Sequence, residues 1–488
     1  MQRFHRALSG FLHLIGAFYD PQLEQAHPWI GRAFLTALYL AGAGWWGKFL
    51  NWGRIPFGFH DWAEISAARM EFVRNAILAG KLPLHMTDAA HLRGVTDRFM
   101  AIPDAILSPQ ALLLGVMDVG TFFLVNTLIL YTLGGLGLLA LRRRFRLSLA
   151  AFTALFLLFN FNGHILAHTS VGHATWGGYF LFPWLAVLIF QLMDGERGWR
   201  WVAKTSLLLF FIYLQGSFHH FVWALFFLGF LGITSWKYFA PVFKAMVFGT
   251  LLSLVRILPP ALELAKFDRE FLGGYPSVVD ILQSMVVLKF PAQALEMRSM
   301  LNVLGWWEFN LYVGVIGAAF VFYFGVYRWL KNRRAETGFP NLLLPVAGVA
   351  FLSLGRIYRI VMLLQIPLIS GERASIRMLI LPFVVLLIIG AVELQRWLDT
   401  HPQPWTVQLA GLMLIGALGH DLWQHLKAWQ VSNAFAAFPY TPVDLTLKLV
   451  GNRPDPPYIA VLSVGAVITT LTLIFLGFQV WRERKRAG

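Results

Sequence analysis

VGTFFLVNTLILYTLGGLGLLAL occupies residues 119–141 and is followed at once by RRRFR at residues 142–146. The first stretch carries no charged side chain, and a helix of about 20 such residues crosses the hydrocarbon layer of a bilayer. Basic residues directly after a span favour the cytoplasmic side of the membrane. This stretch therefore predicts one transmembrane helix whose C-terminal end faces the cytoplasm.

Apolar stretches of this kind recur along the whole chain. Of its 488 residues, 57% are hydrophobic and 13% are charged, whereas soluble proteins carry about 25% charged residues. This composition excludes a soluble enzyme, a disordered protein and a fibrous protein. We predict an all-α integral membrane protein with about twelve transmembrane helices, near residues 31–50, 119–141, 147–166, 176–193, 203–218, 220–235, 243–262, 309–328, 341–355, 376–394, 405–420 and 458–480.

The distribution of charge predicts the orientation of these spans. The formal net charge is +15. Basic clusters fall on one side of the predicted spans, at residues 142–146, 197–204, 237–244, 328–334 and 482–486. Lys and Arg are enriched in cytoplasmic loops, and an even number of spans places both termini on one side. We therefore predict cytoplasmic termini, and orientation explains the basic excess without any nucleic-acid binding.

The opposite, outer side carries three long segments, at residues 51–118, 263–308 and 421–457. Long connections without a role are uncommon in compact proteins, so we expect function at the outer ends of the spans. No internal repeat divides the chain, and residues 1–488 are predicted to form one membrane domain. The chain has no cysteine, which excludes disulfides and thiolate sites and suits a prokaryotic envelope protein.

The first outer segment predicts an amphipathic helix that begins near Asp61 and ends at Gly80. Trp62, Phe72 and Val73 fall on one face at helical spacing, and we expect this helix to lie along the outer headgroup layer. Asp61 and Glu64 are three residues apart and can face one site. A partly desolvated carboxylate there is suited to act as a general base toward a sugar hydroxyl. The alternative is that Asp61 only caps the helix. A second surface helix is predicted within residues 278–290.

The order of these features resembles the GT-C superfamily of membrane glycosyltransferases, which includes the protein O-mannosyltransferases and their poorly characterised bacterial relatives. The similarity begins with the acidic start of the first outer segment and its surface helix. The other matching motifs are Gly80-Lys81-Leu82-Pro83-Leu84, Ser108-Pro109, Gly172-His173 with Leu181-Phe182-Pro183-Trp184, Pro259-Pro260-Ala261-Leu262-Glu263-Leu264, Trp306-Trp307-Glu308 with Tyr312-Val313-Gly314, and Arg373 to Arg377.

The resemblance covers most of the chain through loose motifs. It implies an enzyme of the bacterial inner membrane that takes a sugar from a polyprenyl-phosphate-linked lipid donor with inversion at the anomeric carbon. The acceptor would be a glycan, a lipid or a protein. In that superfamily an acidic residue of the first outer segment acts as the base, and the matching positions here are Asp61 and Glu64. The chain departs from the commonest pattern because this segment lacks Asp-Asp, Glu-Asp and Asp-X-Asp. No cofactor is required, although a divalent metal ion is possible.

Histidines and arginines near the outer ends supply further candidate site residues. His173 and His219 lie in turns without Lys or Arg, and we expect them to contact phosphate or to orient a hydroxyl group. His164 and His168 share a helix face at a spacing that suits either a metal pair or interfacial side chains. The predicted phosphate-binding cations are Arg256, Arg373 and Arg377. The alternative for these arginines is an ion pair, such as Arg373 with Glu372, or snorkelling to headgroups.

Two other classes of function remain open from the sequence. A transporter or lipid flippase would also suit twelve spans, but such proteins usually show internal repeats and ionisable residues at mid-membrane. A non-catalytic membrane subunit could bind pigment or haem through histidines in the middle of its spans. ATP-driven transport and serine or zinc hydrolysis have no support in motifs.

Overall fold

The computed structural model describes residues 15–92, 94–102, 104–263, 266, 271–291, 297–298, 303–334, 338–365, 372–401, 403–443, 445 and 448–487. Within these residues the fold is helical, apart from one short antiparallel ladder between β1 (Met297–Arg298) and β2 (Val303–Leu304). Parts of the predicted outer segments, above all of residues 263–308, lie outside the described residues.

The α-helices follow one another along the chain, with the longest connections in the predicted outer segments. They are α1 (Pro21–Ala26), α2 (Pro28–Phe49), α3 (Ala67–Leu78), α4 (Val119–Phe145), α5 (Leu149–Asn160), α6 (Gly163–Ser170), α7 (Phe182–Met193), α8 (Trp199–Leu214), α9 (Phe218–Thr234), α10 (Trp236–Leu252), α11 (Leu254–Ala261), α12 (Val278–Val286), α13 (Trp306–Phe309), α14 (Gly314–Phe320), α15 (Trp329–Asn332), α16 (Leu343–Leu352), α17 (Gly355–Met362), α18 (Ile380–Thr400), α19 (Trp405–Ala428), α20 (Val431–Ala437) and α21 (Pro456–Ala487).

Tighter or wider helical turns complete several of these helices. The 3₁₀ segments are Asn51–Gly53, Ala89–Leu92, Phe99–Ala101, Ala105–Leu107, Pro109–Gly115, Ala174–Leu181, Pro340–Leu342 and Ser375–Leu379. The π-helical segments are Trp62–Ser66 and Val321–Arg328. Continuous helical runs therefore extend beyond single α-helices, and some reach the length of a membrane span.

Six helical runs of the described residues are long and apolar enough to cross a membrane, or seven if a bent pair is one span. The six are Val119–Phe145, Leu149–Ser170, Ala174–Met193, Trp306–Asn332, Ser375–Thr400 and Pro456–Arg486. The bent pair is α10 with α11, which meet at 65°. The prediction of a helical protein whose apolar helices are long enough to span a membrane is thus confirmed.

The predicted number of twelve spans is not confirmed. Every predicted run contains helix, but several helices are too short by themselves, such as α8 with 16 residues and α9 with 17. A count of apolar residues overlooks these interruptions because the composition of a run does not record where its helix bends or ends. Two of the shorter helices, Phe218–Thr234 and Pro340–Leu352, are nevertheless predominantly apolar.

The spans differ in how deeply they lie within the protein. The apolar window of Leu149–Ser170 is 100% buried and that of Ser375–Thr400 is 89% buried, whereas the window of Pro456–Arg486 is only 22% buried. The first two pack against each other through α5 and α18. They form the centre of the bundle, and α21 lies at its edge against α8, α10 and α11.

The first and third predicted outer segments pair with each other at one end of the bundle. Met86 bridges Val450, and the backbone N–H of Gly451 donates to the carbonyl of His85 at 3.1 Å. Arg98 links both segments, because its guanidinium contacts Asp455 at 2.7 Å and Glu263 at 2.7 Å. Three segments that are distant in sequence therefore form one layer over this end.

The two predicted surface helices are present as α3 and α12. Phe72 and Val73 of α3 are buried as predicted, Ala76 is buried beside them, and Gly80 closes the helix with a positive φ of 60°. α3 also buries Arg69, whose guanidinium pairs with Asp104 at 3.0 Å. α3 is therefore packed against the rest of its own outer segment, and Asn75 Nδ2 also donates to the carbonyl of Lys448 in the third segment at 2.9 Å. By contrast, α12 exposes apolar side chains such as Val279 and Leu282.

Candidate functional site

Asp61 lies at the N-cap position of the π-helical turn Trp62–Ser66, but its side chain makes no capping hydrogen bond there. Its carboxylate instead contacts His173, with 3.2 Å between Oδ2 and Nε2. Its other oxygen, Oδ1, lies 3.5 Å from Nδ1 of His60. The carboxylate is about one-fifth exposed. Asp61 therefore occupies a helix N-cap position, but its carboxylate contacts His173 instead of capping the helix.

The turn that carries His173 depends on Gly172. Gly172 has φ +94°, and a Cβ atom on it would lie 2.3 Å from the backbone nitrogen of Trp62. Its carbonyl accepts a hydrogen bond from Ser66 Oγ at 2.6 Å, and Trp62 Nε1 donates to the carbonyl of Ser170 at 2.9 Å. Only a residue without a side chain permits this approach. The close contact brings His173 to Asp61.

His173 also contacts a second histidine. Its Nδ1 lies 2.7 Å from Nδ1 of His168, which is fully buried on α6. A carboxylate only accepts hydrogen bonds, so neutral rings satisfy this chain when His168 donates to His173 and His173 donates to Asp61. The remaining nitrogen of His168, Nε2, has no partner among the described residues. A relay of two imidazoles thus leads from Asp61 into the protein.

Glu308 and Arg377 form a buried ion pair beside this relay. Nε and Nη2 of Arg377 each contact one oxygen of Glu308 at 2.5 Å, a two-point geometry to which guanidinium groups are suited. Glu308 lies on α13, which packs against α6 because Gly163 closely approaches the segment after α13. The guanidinium of Arg377 also lies over the ring of Trp176 at 5.4 Å. A fixed positive group therefore lies near the relay.

The side chains of Asp61, His173, His168, Glu308 and Arg377 form one cluster. Trp176 is its aromatic centre. His168 stacks on its indole with 4.1 Å between ring centroids and an interplanar angle of 7°. His220 meets the same indole edge-on at 4.9 Å, and neither ring nitrogen of His220 has a partner among the described residues. These contacts make Trp176 a rigid support that positions histidines on its faces and edge.

A second carboxylate–histidine pair lies at the start of α9. Nδ1 of His219 is 2.7 Å from Oε2 of Glu372, and Trp223 Nε1 donates to the same oxygen at 2.8 Å. Burial by itself would raise the pKa of Glu372, but His219, Arg377 and Trp223 outweigh it and lower this pKa. Glu372 is therefore a carboxylate at neutral pH, and His219 is held in a fixed position.

His60 completes the edge of the cluster. Burial lowers its pKa, against the opposing effect of Asp61, and its Nδ1 lies 3.1 Å from the carbonyl of Val171. His60 has a positive φ of 42°, which is unusual for a residue with a side chain. Such strain persists where the surrounding structure imposes it and is concentrated at functional sites.

Two groups of side chains in the described part of the chain are close enough to hold a metal ion. One consists of His60, Asp61 and His173, and the other of His168, His173 and Glu308. In each group the ligand atoms lie within 4.8 Å of one another. Imidazole and carboxylate ligands suit transition metals. The donors thus fit a divalent ion, although Glu308 is already paired with Arg377.

The structure separates the predicted site residues into two sets. Asp61, His173 and Arg377 belong to the cluster, and His219 joins it through Glu372 and the stacked Trp176. Two further predicted residues, Glu64 and Arg256, have other surroundings. Glu64 is exposed. Arg256 is 1% exposed and donates to the carbonyls of Met100 at 3.0 Å and Ile102 at 2.6 Å. The backbone carbonyl of Arg373 accepts from Leu272.

Several members of the cluster escaped the sequence-based set of site residues. They include His60, Trp176, His220, Glu308 and Glu372, whereas His168 was considered only together with His164, as a metal pair or as interfacial side chains. Glu308 stands at the end of a quoted motif, and Glu372 directly precedes Arg373. An acidic residue beside an apolar run is recognisable in the sequence as a candidate functional residue. Its partner is not recognisable, because packing between distant segments brings the two residues together.

Comparison of the sequence with protein-family models and with curated proteins finds no match. The relation to the GT-C superfamily therefore stays a prediction.

Proposed function

We propose that the chain is a GT-C-type glycosyltransferase that moves a sugar from a polyprenyl-phosphate-linked lipid donor to an acceptor at the outer face of the membrane. The observation that carries this proposal is the carboxylate of Asp61, held by His173 at the end of an apolar helix bundle with Arg377 close by. Inverting transfer from a lipid phosphate needs a base for the acceptor hydroxyl and a cation for the leaving phosphate, and Asp61 and Arg377 would fill these two roles.

Asp61 acts as the general base in this reaction. Its carboxylate removes the proton from the acceptor hydroxyl, whose oxygen attacks the anomeric carbon as the bond to the phosphate oxygen breaks. The bonding electrons leave with the phosphate. His173 orients Asp61 through the 3.2 Å contact, and a base placed in this way typically contributes about 10²–10⁴-fold to the rate.

Arg377 stabilises the leaving phosphate in this proposal. The phosphate gains negative charge as the bond breaks, and a cation that is already in position lowers the barrier. Glu308 and Trp176 hold the guanidinium in place. A divalent ion on His60, Asp61 and His173 would add positive charge at the same end, and these three residues would hold it.

The topology that we propose has twelve spans in a bacterial inner membrane, with both termini in the cytoplasm. It is supported by the basic connections at the end of the spans opposite the cluster, such as Arg142, Arg143 and Arg144 at the end of α4. The cluster residues lie at the beginnings or ends of helices, which disfavours a transporter with its ionisable groups at mid-span.

The test uses purified protein in lipid nanodiscs with undecaprenyl phosphate, both free and carrying mannose or glucose. We expect saturable binding of these lipids and release of the sugar from the loaded forms. Asp61→Asn should retain binding and lose sugar release by about a hundredfold or more. Arg377→Gln should weaken binding of the free phosphate by about tenfold or more.

Two controls separate these effects from misfolding. Arg359→Gln removes an exposed cation of α17 outside the cluster and should leave binding unchanged. The double variant Arg377→Gln with Glu308→Gln removes the buried charge that the single variant leaves unpaired. Full sugar release by Asp61→Asn would contradict the base assignment, and a failure of every polyprenyl phosphate to bind would contradict the transferase.

A further inference from the structure

Three cations converge where the connection between α7 and α8 meets the start of α10. The guanidinium carbon of Arg197 and Nζ of Lys237 each lie 5.5 Å from the centroid of the same ring, that of the buried Tyr238. Nζ of Lys244, two helical turns further along α10, lies 5.0 Å from the ring centroid of Trp199. All three cations are exposed. Two segments that are distant in sequence therefore form one basic patch.

The carboxylates of the neighbouring segments have other partners. Glu196 contacts Lys204 at 3.6 Å, and Asp194 pairs with Arg144. The carboxylate of Glu483, on α21, accepts the first two backbone N–H groups of α8 at 3.0 and 2.8 Å. No carboxylate in the described part of the chain forms an ion pair with a cation of the basic patch. Because like charges repel at short range, an anion from outside the chain would stabilise this arrangement.

An exposed aromatic stripe runs along α10 beside the basic patch. It consists of Trp236, Phe239 and Phe243, which are all exposed and lie on one helix face at spacings of three and four residues. Trp236 and Phe239 stack with 5.3 Å between ring centroids, and Phe239 and Phe243 with 6.0 Å. Lys237 follows the first of these rings in sequence, and Lys244 follows the last. Each end of the apolar stripe therefore has a cation beside it.

The position of α10 indicates which kind of anion fits. Together with α11 it forms a bent pair that is apolar and long enough to cross a membrane, and aromatic side chains near the end of a span lie at the level of the lipid head groups. An anion that reaches the patch and also covers the stripe has a charged head and hydrocarbon chains. Basic pockets between spans bind the head groups of anionic lipids.

Membrane orientation by itself does not account for this geometry. An excess of Lys and Arg in cytoplasmic connections requires only that the cations lie on one side of the membrane. It does not require cations from two separate segments to meet over the same buried ring, as Arg197 and Lys237 do. Aromatic rings hold cations at fixed positions through cation–π contacts, so the patch is organised before a lipid arrives.

We propose that Arg197, Lys237 and Lys244 bind the phosphate head group of an anionic phospholipid, whose acyl chains lie along the aromatic stripe of α10. In the proposed topology this lipid belongs to the cytoplasmic leaflet. Binding depends on the charge and the aromatic rings of the patch, and it does not depend on the proposed transferase activity.

The experiment uses phosphatidylglycerol with a diazirine in one acyl chain and, as a second probe, phosphatidylcholine with the same chains. The full-length protein is placed in phosphatidylcholine nanodiscs with a small fraction of either probe, irradiated and mapped by mass spectrometry. Labelling of residues 236–247 is divided by that of residues 133–136, where Leu133 and Leu136 are exposed on α4 and report contact with the bulk lipid. We expect this ratio to be about tenfold higher for the anionic probe and to fall when unlabelled phosphatidylglycerol is added.

Two double variants separate a site from general attraction by positive charge. Arg197→Gln with Lys237→Gln should lower the ratio for the anionic probe about tenfold, because each cation near an anionic head group contributes to the affinity. The matched control, Lys331→Gln with Arg334→Gln, removes the same charge from exposed positions in another basic connection and should leave the ratio unchanged. Lys237→Arg retains the charge and should retain the labelling. Thermal unfolding in nanodiscs checks that each variant is folded.

Equal ratios for the two probes would overturn the proposal. An equal loss in the two double variants would also overturn it, since general surface charge would then explain the attraction. Displacement of the anionic probe by soluble glycerol phosphate would show a site for a free phosphate compound instead of a lipid. Retained labelling in the variant that lacks Arg197 and Lys237 would contradict the assignment of these residues.

Discussion

Asp61 depends for its environment on a residue more than a hundred positions away in the chain. Gly172 brings its own backbone against Trp62, and the next residue, His173, then contacts the carboxylate. The contact between Asp61 and His173 therefore depends on the backbone conformation of Gly172. A substitution of this glycine should change the position of the Asp61 carboxylate relative to His173 although Asp61 itself is unchanged.

Gly172→Ala should destabilise the protein and reduce sugar release. The new Cβ would lie 2.3 Å from the Trp62 nitrogen, and alanine is also strained at φ +94°. We expect a loss of more than about 1 kcal/mol in the free energy of unfolding, measured by thermal unfolding in nanodiscs together with sugar release. Gly195→Ala is the matched control, because Gly195 has φ +107° and open space around it. Equal effects of both variants would contradict the role of the close approach.

At the scale of elements, ion pairs hold the outer segments to one another. Arg98 contacts both Asp455 and Glu263, so one guanidinium joins the first, second and third predicted outer segments. Arg98 lowers the pKa of Asp455 to about 2, against the opposing effect of burial. The layer that these outer segments form at one end of the bundle is therefore stabilised by charge at neutral pH.

Asp455→Asn should loosen this layer, with an effect that depends on pH. The pKa in the folded protein lies below the ordinary value of about 3.9. Its stabilising contribution is therefore complete above that value and is lost as the pH falls toward about 2. Amide hydrogen exchange of residues 82–86 and 448–452 should be faster in the variant at pH 7, and the difference should disappear near pH 2.

Asp280→Asn is the control for this comparison, since Asp280 accepts a hydrogen bond from Ser277 in its own helical turn. It should leave exchange of the paired segments unchanged. Identical exchange of Asp455→Asn and the wild type at pH 7 would contradict the role of this ion pair.

At the scale of the whole molecule, the absence of cysteine permits a direct test of orientation. Single variants Lys81→Cys and Arg143→Cys place a thiol at exposed positions at opposite ends of the proposed bundle. Because basic connections favour the cytoplasm, a membrane-impermeant maleimide added to intact cells should label position 81 and not position 143. Position 143 should react only after permeabilisation. The reverse pattern would invert the topology and place the candidate site in the cytoplasm.

The candidate site was predictable from sequence in part. Asp61, His173 and Arg377 stand out as polar residues beside apolar runs, and the structure brings them together. Arg256 also stands beside an apolar run, but its guanidinium donates hydrogen bonds to the carbonyls of Met100 and Ile102. The sequence identifies ionisable groups near the ends of the spans. It does not show which of them stabilise the fold and which are available to a ligand.

The sequence by itself determined that the chain is helical and apolar enough to enter a membrane, because these properties follow from residues that are near one another. It also determined which connections between the apolar runs are basic and which are long. The tertiary structure decided which helices are long enough to span and which are interrupted. It also decided that Glu308 pairs with Arg377 and that His168 stacks on Trp176. These contacts join residues far apart in the chain, and their energy depends on packing that no local pattern records.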